Sequence, residues 1–172
     1  MKRMRYLRSL WQLCKRYGKE NIVYFDESGF EKHSYRKYGW AQRGEKIYAS
    51  IPGKREKRTN LIMAQRGKQW IAPEIFEGSC DSKRVNDWIK NKLFPVLKEP
   101  SIIVFDNASF HKKGEIRALC KKHGHTALPL PPYSPDFNPI ENSFGTIKTK
   151  REFLPPDTPI INIIKTSNYY LE

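Results

Sequence analysis

Long apolar runs are missing from this chain: none approaches the roughly 20 residues that a membrane-spanning helix needs. The N-terminus likewise has no apolar core of the kind a secretory signal carries. Cysteine is scarce. Cys14, Cys80 and Cys120 are odd in number and scattered, which argues against a disulfide framework and leads to the expectation of a reduced, cytosolic protein. Internal repeats and low-complexity tracts are absent, so a solenoid or a disordered polar tail is excluded as the main architecture. Negative charge is in short supply, with 18 acidic residues against 32 basic ones and a formal net charge of +14.

So large a positive excess repels itself unless a polyanion is the partner, and nucleic acid is the leading candidate. The basic residues cluster, seven in Met1–Lys19 and eleven in Glu31–Lys68. At 172 residues the chain has the length of one domain with a core of its own. We divide it into a basic amphipathic helix over 1–20, a main domain over 21–152, and a C-terminal tail or helix over 153–172.

In the first segment Met4, Leu7, Leu10, Trp11 and Cys14 recur at helical spacing, and Gly18 ends the pattern. Asn21–Asp26 reads as a strand, with Glu27-Ser28-Gly29 turning out of it. A β-meander is expected from Phe30 to Arg66, with strands at Tyr35–Trp40, Glu45–Ile51 and Thr59–Gln65 and a further one at Gln69–Phe76. Its basic loop, Lys54-Arg55-Glu56-Lys57-Arg58, and Arg43 in the turn-like W-A-Q-R-G stretch are candidate phosphate contacts. Asp81 or Ser82 caps a helix with Val85, Trp88, Ile89, Leu93 and Val96 on one face, kinked or ended by Pro95. The all-apolar run before Asp106 reads as a buried strand, Lys112–His123 as a helix, His125–Leu130 as a strand, and Pro139 to about Glu152 as a helix. A last helix is expected within Ile160–Leu171. The strand–helix–strand order of the second half demands parallel pairing, giving a mixed sheet covered by helices.

Two strands each close on an aspartate, Asp26 and Asp106, and ligands bind such sheets beyond the carboxyl ends of their strands. The third acidic candidate comes from L-P-P-Y-S-P-D-F-N-P-I-E-N, Leu130 to Asn142. Its prolines forbid helix and central strand, and Asn138-Pro139 is a helix-start signature. Glu141 then falls in the first turn, where it serves either as the far half of a capping box or as a catalytic group. Three carboxylates at one sheet edge suit hard divalent cations, two of which hold the attacking and leaving oxygens in phosphoryl displacement. Cys120, His123 and His125 form a C-x-x-H-x-H cluster, but no fourth ligand stands out, and Cys120 also fits the apolar face of its helix.

Asp26-Glu27-Ser28, Asp106-Asn107-Ala108 with His111-Lys112, and the block from Pro131 to Glu141 together resemble the mariner-like DDE transposases, in particular their bacterial insertion-sequence branch. Thirty-four residues lie between Asp106 and Glu141, the spacing of that branch. The resemblance implies an α/β fold of the ribonuclease-H type, a mixed five-stranded sheet with helices on both faces. It implies a catalytic and metal-binding triad of Asp26, Asp106 and Glu141 with two Mg²⁺ or Mn²⁺ ions, and cleavage and joining of transposon ends. Asn107 and His111 become candidates for supporting the carboxylates or touching DNA; a solvent-facing helix-start role for His111 stays open. Implied partners are DNA, a second copy of the chain or a higher assembly on DNA, and an upstream helix-turn-helix half that reads the transposon ends. The implied location is the bacterial cytoplasm, at the nucleoid. A DNA-binding remnant that cuts nothing, or another nuclease of the same fold, are the alternatives.

Overall fold

The computed structural model describes residues 2–31, 40–48, 58–155 and 158–170. Its frame is a five-stranded mixed sheet in the order β3-β2-β1-β4-β5, built from β1 (Ile22–Phe30), β2 (Thr59–Arg66), β3 (Gln69–Glu77), β4 (Ile102–Phe105) and β5 (Thr126–Pro129). β1, β2 and β3 pair antiparallel; β4 joins β1, and β5 joins β4, in parallel. The helices are α1 (Lys2–Tyr17), α2 (Ser82–Trp88), α3 (Phe94–Val96), α4 (Lys113–Lys122), α5 (Ile140–Glu152) and α6 (Ile160–Lys165).

Strand side chains alternate between faces, and the core divides accordingly. Val23, Phe25, Ile62, Ala64, Ile103 and Phe105 face one way, against Val85 and Trp88 of α2, Ile89 just after it, and Ile116 and Cys120 of α4. Leu61, Met63 and Trp70 face the other way, against Ile140, Phe144 and Ile147 of α5 and Ile160, Ile163 and Ile164 of α6. On that same side Ile102 and Val104 meet Tyr6, Leu10, Leu13 and Tyr17 of α1. β4 is buried at all four positions, as its uninterrupted apolar run requires of a strand covered on both faces. Each such Ile or Phe contributes about 1.5–3 kcal/mol by leaving water.

The structure departs from the sequence reading at several elements. In α1 the face that packs is Tyr6, Leu10, Leu13, Cys14 and Tyr17, whereas Met4 (56% exposed) and Trp11 (59%) point outward. Tyr6 selects that face because its ring stacks on Phe137, 5.5 Å between centroids. β1 does not stop at Asp26; antiparallel pairing with β2 carries it through Phe30, opposite Thr59, so Glu27-Ser28-Gly29 is strand and not turn. Residues 45–48 form no strand, although Arg43 and Gly44 make the expected turn. The meander residues 32–39 and 49–57 lie outside the described residues.

Asp81 is the cap of α2, its carboxylate accepting the Arg84 N–H at 2.8 Å. The helix then widens into a π turn over Ile89–Leu93 before α3 and Pro95. The extra residue of a π turn rotates the next turn of helix, so Phe94 is buried where Val96 was expected. α6 ends at Lys165, well short of Leu171, and the chain beyond it returns to bridge Tyr170 to Trp70 at the edge of β3. Cys120 is buried in the core, while His123 and His125 both pack on the Phe94 ring, each 4.8 Å from its centroid. Gly124 ends that helix in the left-handed region (φ +79°).

Candidate active site

The parallel pairing of β1 with β4 ends at Tyr24 opposite Val104. Asp26 and Asp106 each lie two residues beyond that last pair, so the register alone brings the two aspartates to the same edge of the sheet. Asp26 remains inside β1 because of β2, while Asp106 has left β4 for the loop toward α4. Glu141 arrives from the other side of the cleft, exposed in the first turn of α5. Glu141 and Asp106 line one cavity of about 330 Å³, together with Asn107, Tyr133 and Ser134.

Asp26 is held at both oxygens. Its Oδ1 accepts the Glu27 N–H at 2.8 Å, and its Oδ2 accepts the side-chain amide of Asn138 at 3.0 Å. Burial, then the neighbouring Glu27 and Asp106 carboxylates, push its pKa up to about 7, against the opposing pull of the Glu27 amide and His111. Asp106 behaves differently. Burial works to raise it, but the His111 contact, the Ala108 N–H at 2.9 Å and the charges of His111 and Lys113 outweigh burial and hold it below the usual carboxylate range.

His111 links the two strands. Its Nδ1 is 2.7 Å from Asp106 Oδ1, an ion-pair contact off the angle a full hydrogen bond needs, and its Nε2 is 3.0 Å from Glu27 Oε1. The ring is buried and sits edge-on to Phe25, Phe105 and Phe110. Burial disfavours the imidazolium, yet the two carboxylates prevail and raise its pKa to about 9. The solvent-facing alternative for His111 is therefore corrected.

Asn107 donates its side-chain amide to the Leu130 carbonyl, tying the end of β4 to the end of β5. Asp136, although close in sequence, turns away to pair with Arg3. Arg43 is exposed in its turn. Arg58 is exposed at the edge of a second cavity of about 760 Å³, walled by Glu27, Gly29 and Cys80. Its guanidinium occupies the space where a side chain on Gly29 would project, which accounts for a glycine within β1. Lys54, Arg55 and Lys57 lie outside the described residues.

One participant escapes sequence reasoning. Asn138 reads as a helix cap, but among the described residues no side chain caps α5; the buried Asn138 amide turns to Asp26 instead, and its Oδ1 has no hydrogen-bond partner among those residues. Nothing local in Asn-Pro distinguishes these uses. Glu27, expected to point away from the carboxylates or only to support them, supports them through His111: as the neighbour of Asp26 on a strand it faces the opposite side, with Phe25, where His111 is packed.

The donor chemistry fits a hard divalent cation, since the acidic groups at this edge offer oxygen, and the burial that chiefly raises the pKa of Asp26 is what a bound cation would offset. As the side chains stand, no three His, Cys, Asp or Glu groups among the described residues are gathered closely enough to hold one.

No curated protein matches the chain. Among solved structures, the Mos1 transposase paired-end complex with left transposon end is similar at 20% identity, TM-score 0.67, over 87% of this chain and 48% of that one. The Mos1 Strand Transfer Complex is similar at 24% identity, TM-score 0.67, over 84% and 46%. The Mos1 transposase catalytic domain with Raltegravir and Mg is similar at 19% identity, TM-score 0.60, over 95% and 77%. The chain thus spans about half the length of the chains in the transposon complexes, and its mixed sheet with helices is the ribonuclease-H-like fold of that catalytic domain. Residues 21–158 match the family model described as DDE superfamily endonuclease, and on that match over most of its length the chain belongs to the DDE superfamily endonucleases.

Proposed function

We propose that this chain is the catalytic domain of a DNA transposase of the mariner-like superfamily, bacterial insertion-sequence branch, cutting and joining DNA at transposon ends. The observation that carries the reading is the shared register of Asp26 and Asp106, with Glu141 across the same cavity as Asp106. Asp26, Asp106 and Glu141 are the residues that would hold the metal. When bound, a pair of Mg²⁺ or Mn²⁺ ions supplies Lewis-acid chemistry for in-line phosphoryl displacement, by water in cleavage and by a 3′-hydroxyl in joining.

The chain's own residues prepare that edge. Asn138 and the Glu27 amide fix the orientation of Asp26. His111, as imidazolium, offsets Asp106 and Glu27 and keeps Asp106 ionised. The net charge of +14 draws the phosphodiester backbone to the surface, with Arg43, Lys54, Arg55, Lys57 and Arg58 as candidate contacts. A helix-turn-helix half of the same transposase selects the end sequence, and two copies act together on DNA.

Thermal melts test the metal-binding half of the reading. A cation bound only by the folded state stabilises it, by about 2.7 kcal/mol at a hundred times the dissociation constant. The melting temperature of the wild type rises with Mg²⁺ or Mn²⁺, and that rise shrinks in Asp26→Asn, Asp106→Asn and Glu141→Gln. A wild type indifferent to both ions would contradict the site. One observation favours a second reading, a DNA-binding remnant that does not cut: both oxygens of Asp26 are already engaged, and no three carboxylates stand gathered among the described residues. The same melts separate the two readings.

A further inference from the structure

We propose that Tyr133 is a stacking platform for an unpaired DNA base at the rim of the cavity shared by Asp106 and Glu141, an inference that rests on the nuclease reading above. Tyr133 is 100% exposed and lines that cavity. Its exposure is not that of a loose loop. On one side Leu130 is buried, its N–H bonded to the Phe105 carbonyl at 2.8 Å and its carbonyl to Asn107. On the other, Ser134 is buried, its carbonyl accepting the Phe137 N–H at 3.1 Å, and Phe137 stacks on Tyr6. Pro131, Pro132 and Pro135 stiffen the backbone between.

The backbone of Tyr133 itself is held at φ +52°, the left-handed region that glycine or asparagine occupies without strain. A bulky aromatic there, clamped from both sides and with its ring entirely in solvent, does nothing for the fold. Strained residues of this kind cluster at ligand sites. Both faces of the ring are free, which is what a base needs to stack on it. A base within a duplex has its π-faces covered by neighbours, so the ligand is an unpaired or extruded base next to the phosphodiester at the carboxylates. Stacking tolerates every base, and the hydroxyl is not required for it.

The test uses the 172-residue chain in EDTA, so that binding is read without cleavage. Two probes carry 2-aminopurine, one in a duplex with a single unpaired position and one fully paired. Wild type and Tyr133→Phe quench the unpaired probe. Tyr133→Gly and Tyr133→Ala lose the quench and bind that probe on the order of tenfold more weakly, with affinity for the paired duplex unchanged. Glycine also relaxes the positive φ, so a failure of the alanine variant to fold does not stop the comparison. Equal affinity of Tyr133→Gly and wild type for the unpaired probe would overturn the proposal. So would loss of the quench in Tyr133→Phe, since that would assign the effect to the hydroxyl. Asp106→Asn keeps the quench, and metal-dependent nicking by that variant at the wild-type rate would sink the assignment of Asp106 to the nuclease site while leaving the stacking result standing.

Discussion

His111 touches one carboxylate on each of two chain segments, Asp106 after β4 and Glu27 in β1, and its ring is enclosed by three phenylalanines. Removing it leaves two carboxylates close together without their cation. Hydrogen bonds to charged groups contribute about 1.5–3 kcal/mol, so His111→Ala should lower unfolding free energy in urea by that order when metal is absent. A loss under about 0.5 kcal/mol would mean that His111 is not the counter-charge described here. Cys120 gives a second check at this scale. Burial alone pushes its thiol up to about 12, from the ordinary value of 9.0. Only the thiolate is alkylated readily, so native protein at pH 8 should leave Cys120 unmodified by iodoacetamide until denaturant is added. The sign follows from linkage: the folded state holds this proton more tightly, so the contribution is intact below pH 9 and is lost as pH rises toward 12. Rapid labelling of Cys120 in the folded chain would contradict its burial on the inner face of α4. Residue types told part of this in advance. Asp26, Asp106 and Glu141 stand out by position in strand-end and helix-start patterns, whereas the use of Asn138 depends on a partner 112 positions away and has no local mark.

At the scale of elements, legibility depends on how local the deciding forces are. β4, β5 and α4 are read correctly because each carries its own periodicity and its own stop, Gly124 in the last case. β1 is cut short in sequence reasoning because Glu-Ser-Gly looks like a turn; the residues that keep it extended, Thr59 to Met63, are on another strand. The face of α1 depends on Phe137 stacking with Tyr6, again a distant partner. α5 is anchored by a relay that sequence does not announce. Trp70 Nε1 donates to Ser143 Oγ at 2.8 Å, and Ser143 donates to Gln65 Oε1 at 2.6 Å, so β3, α5 and β2 share one buried chain of bonds. Ser143→Ala should cost about 1–3 kcal/mol, because the indole N–H is left buried without an acceptor. Since Ser143 and Glu141 share α5, metal-dependent stabilisation should also weaken. Denaturation midpoints that match wild type would remove Ser143 from the anchoring of that helix.

For the whole molecule, a net charge of +14 and a fold that places carboxylates at one edge divide the labour between binding and chemistry. Binding through Lys and Arg to phosphate releases counter-ions, so affinity for an arbitrary duplex should fall linearly with salt on a log–log plot, with slope about −0.9 per phosphate contact. Transposon ends and unrelated duplexes should bind alike, because phosphate contacts carry no sequence information. A marked preference for one end sequence would show base readout by these residues beside the phosphate contacts. The fold class was legible at this scale because strand order and crossover rules leave few topologies. The strand expected from Glu45 was not, for residues 45–48 form none, while residues 32–39 and 49–57 lie outside the described residues. The most direct measurement of the central claim sets DNA binding beside nicking for wild type and Asp106→Asn, with Mg²⁺ or Mn²⁺ and without. Unchanged or tighter binding is expected of the variant, which has lost a negative charge, with nicking by wild type alone and only with metal. Nicking by Asp106→Asn at the wild-type rate would contradict that claim.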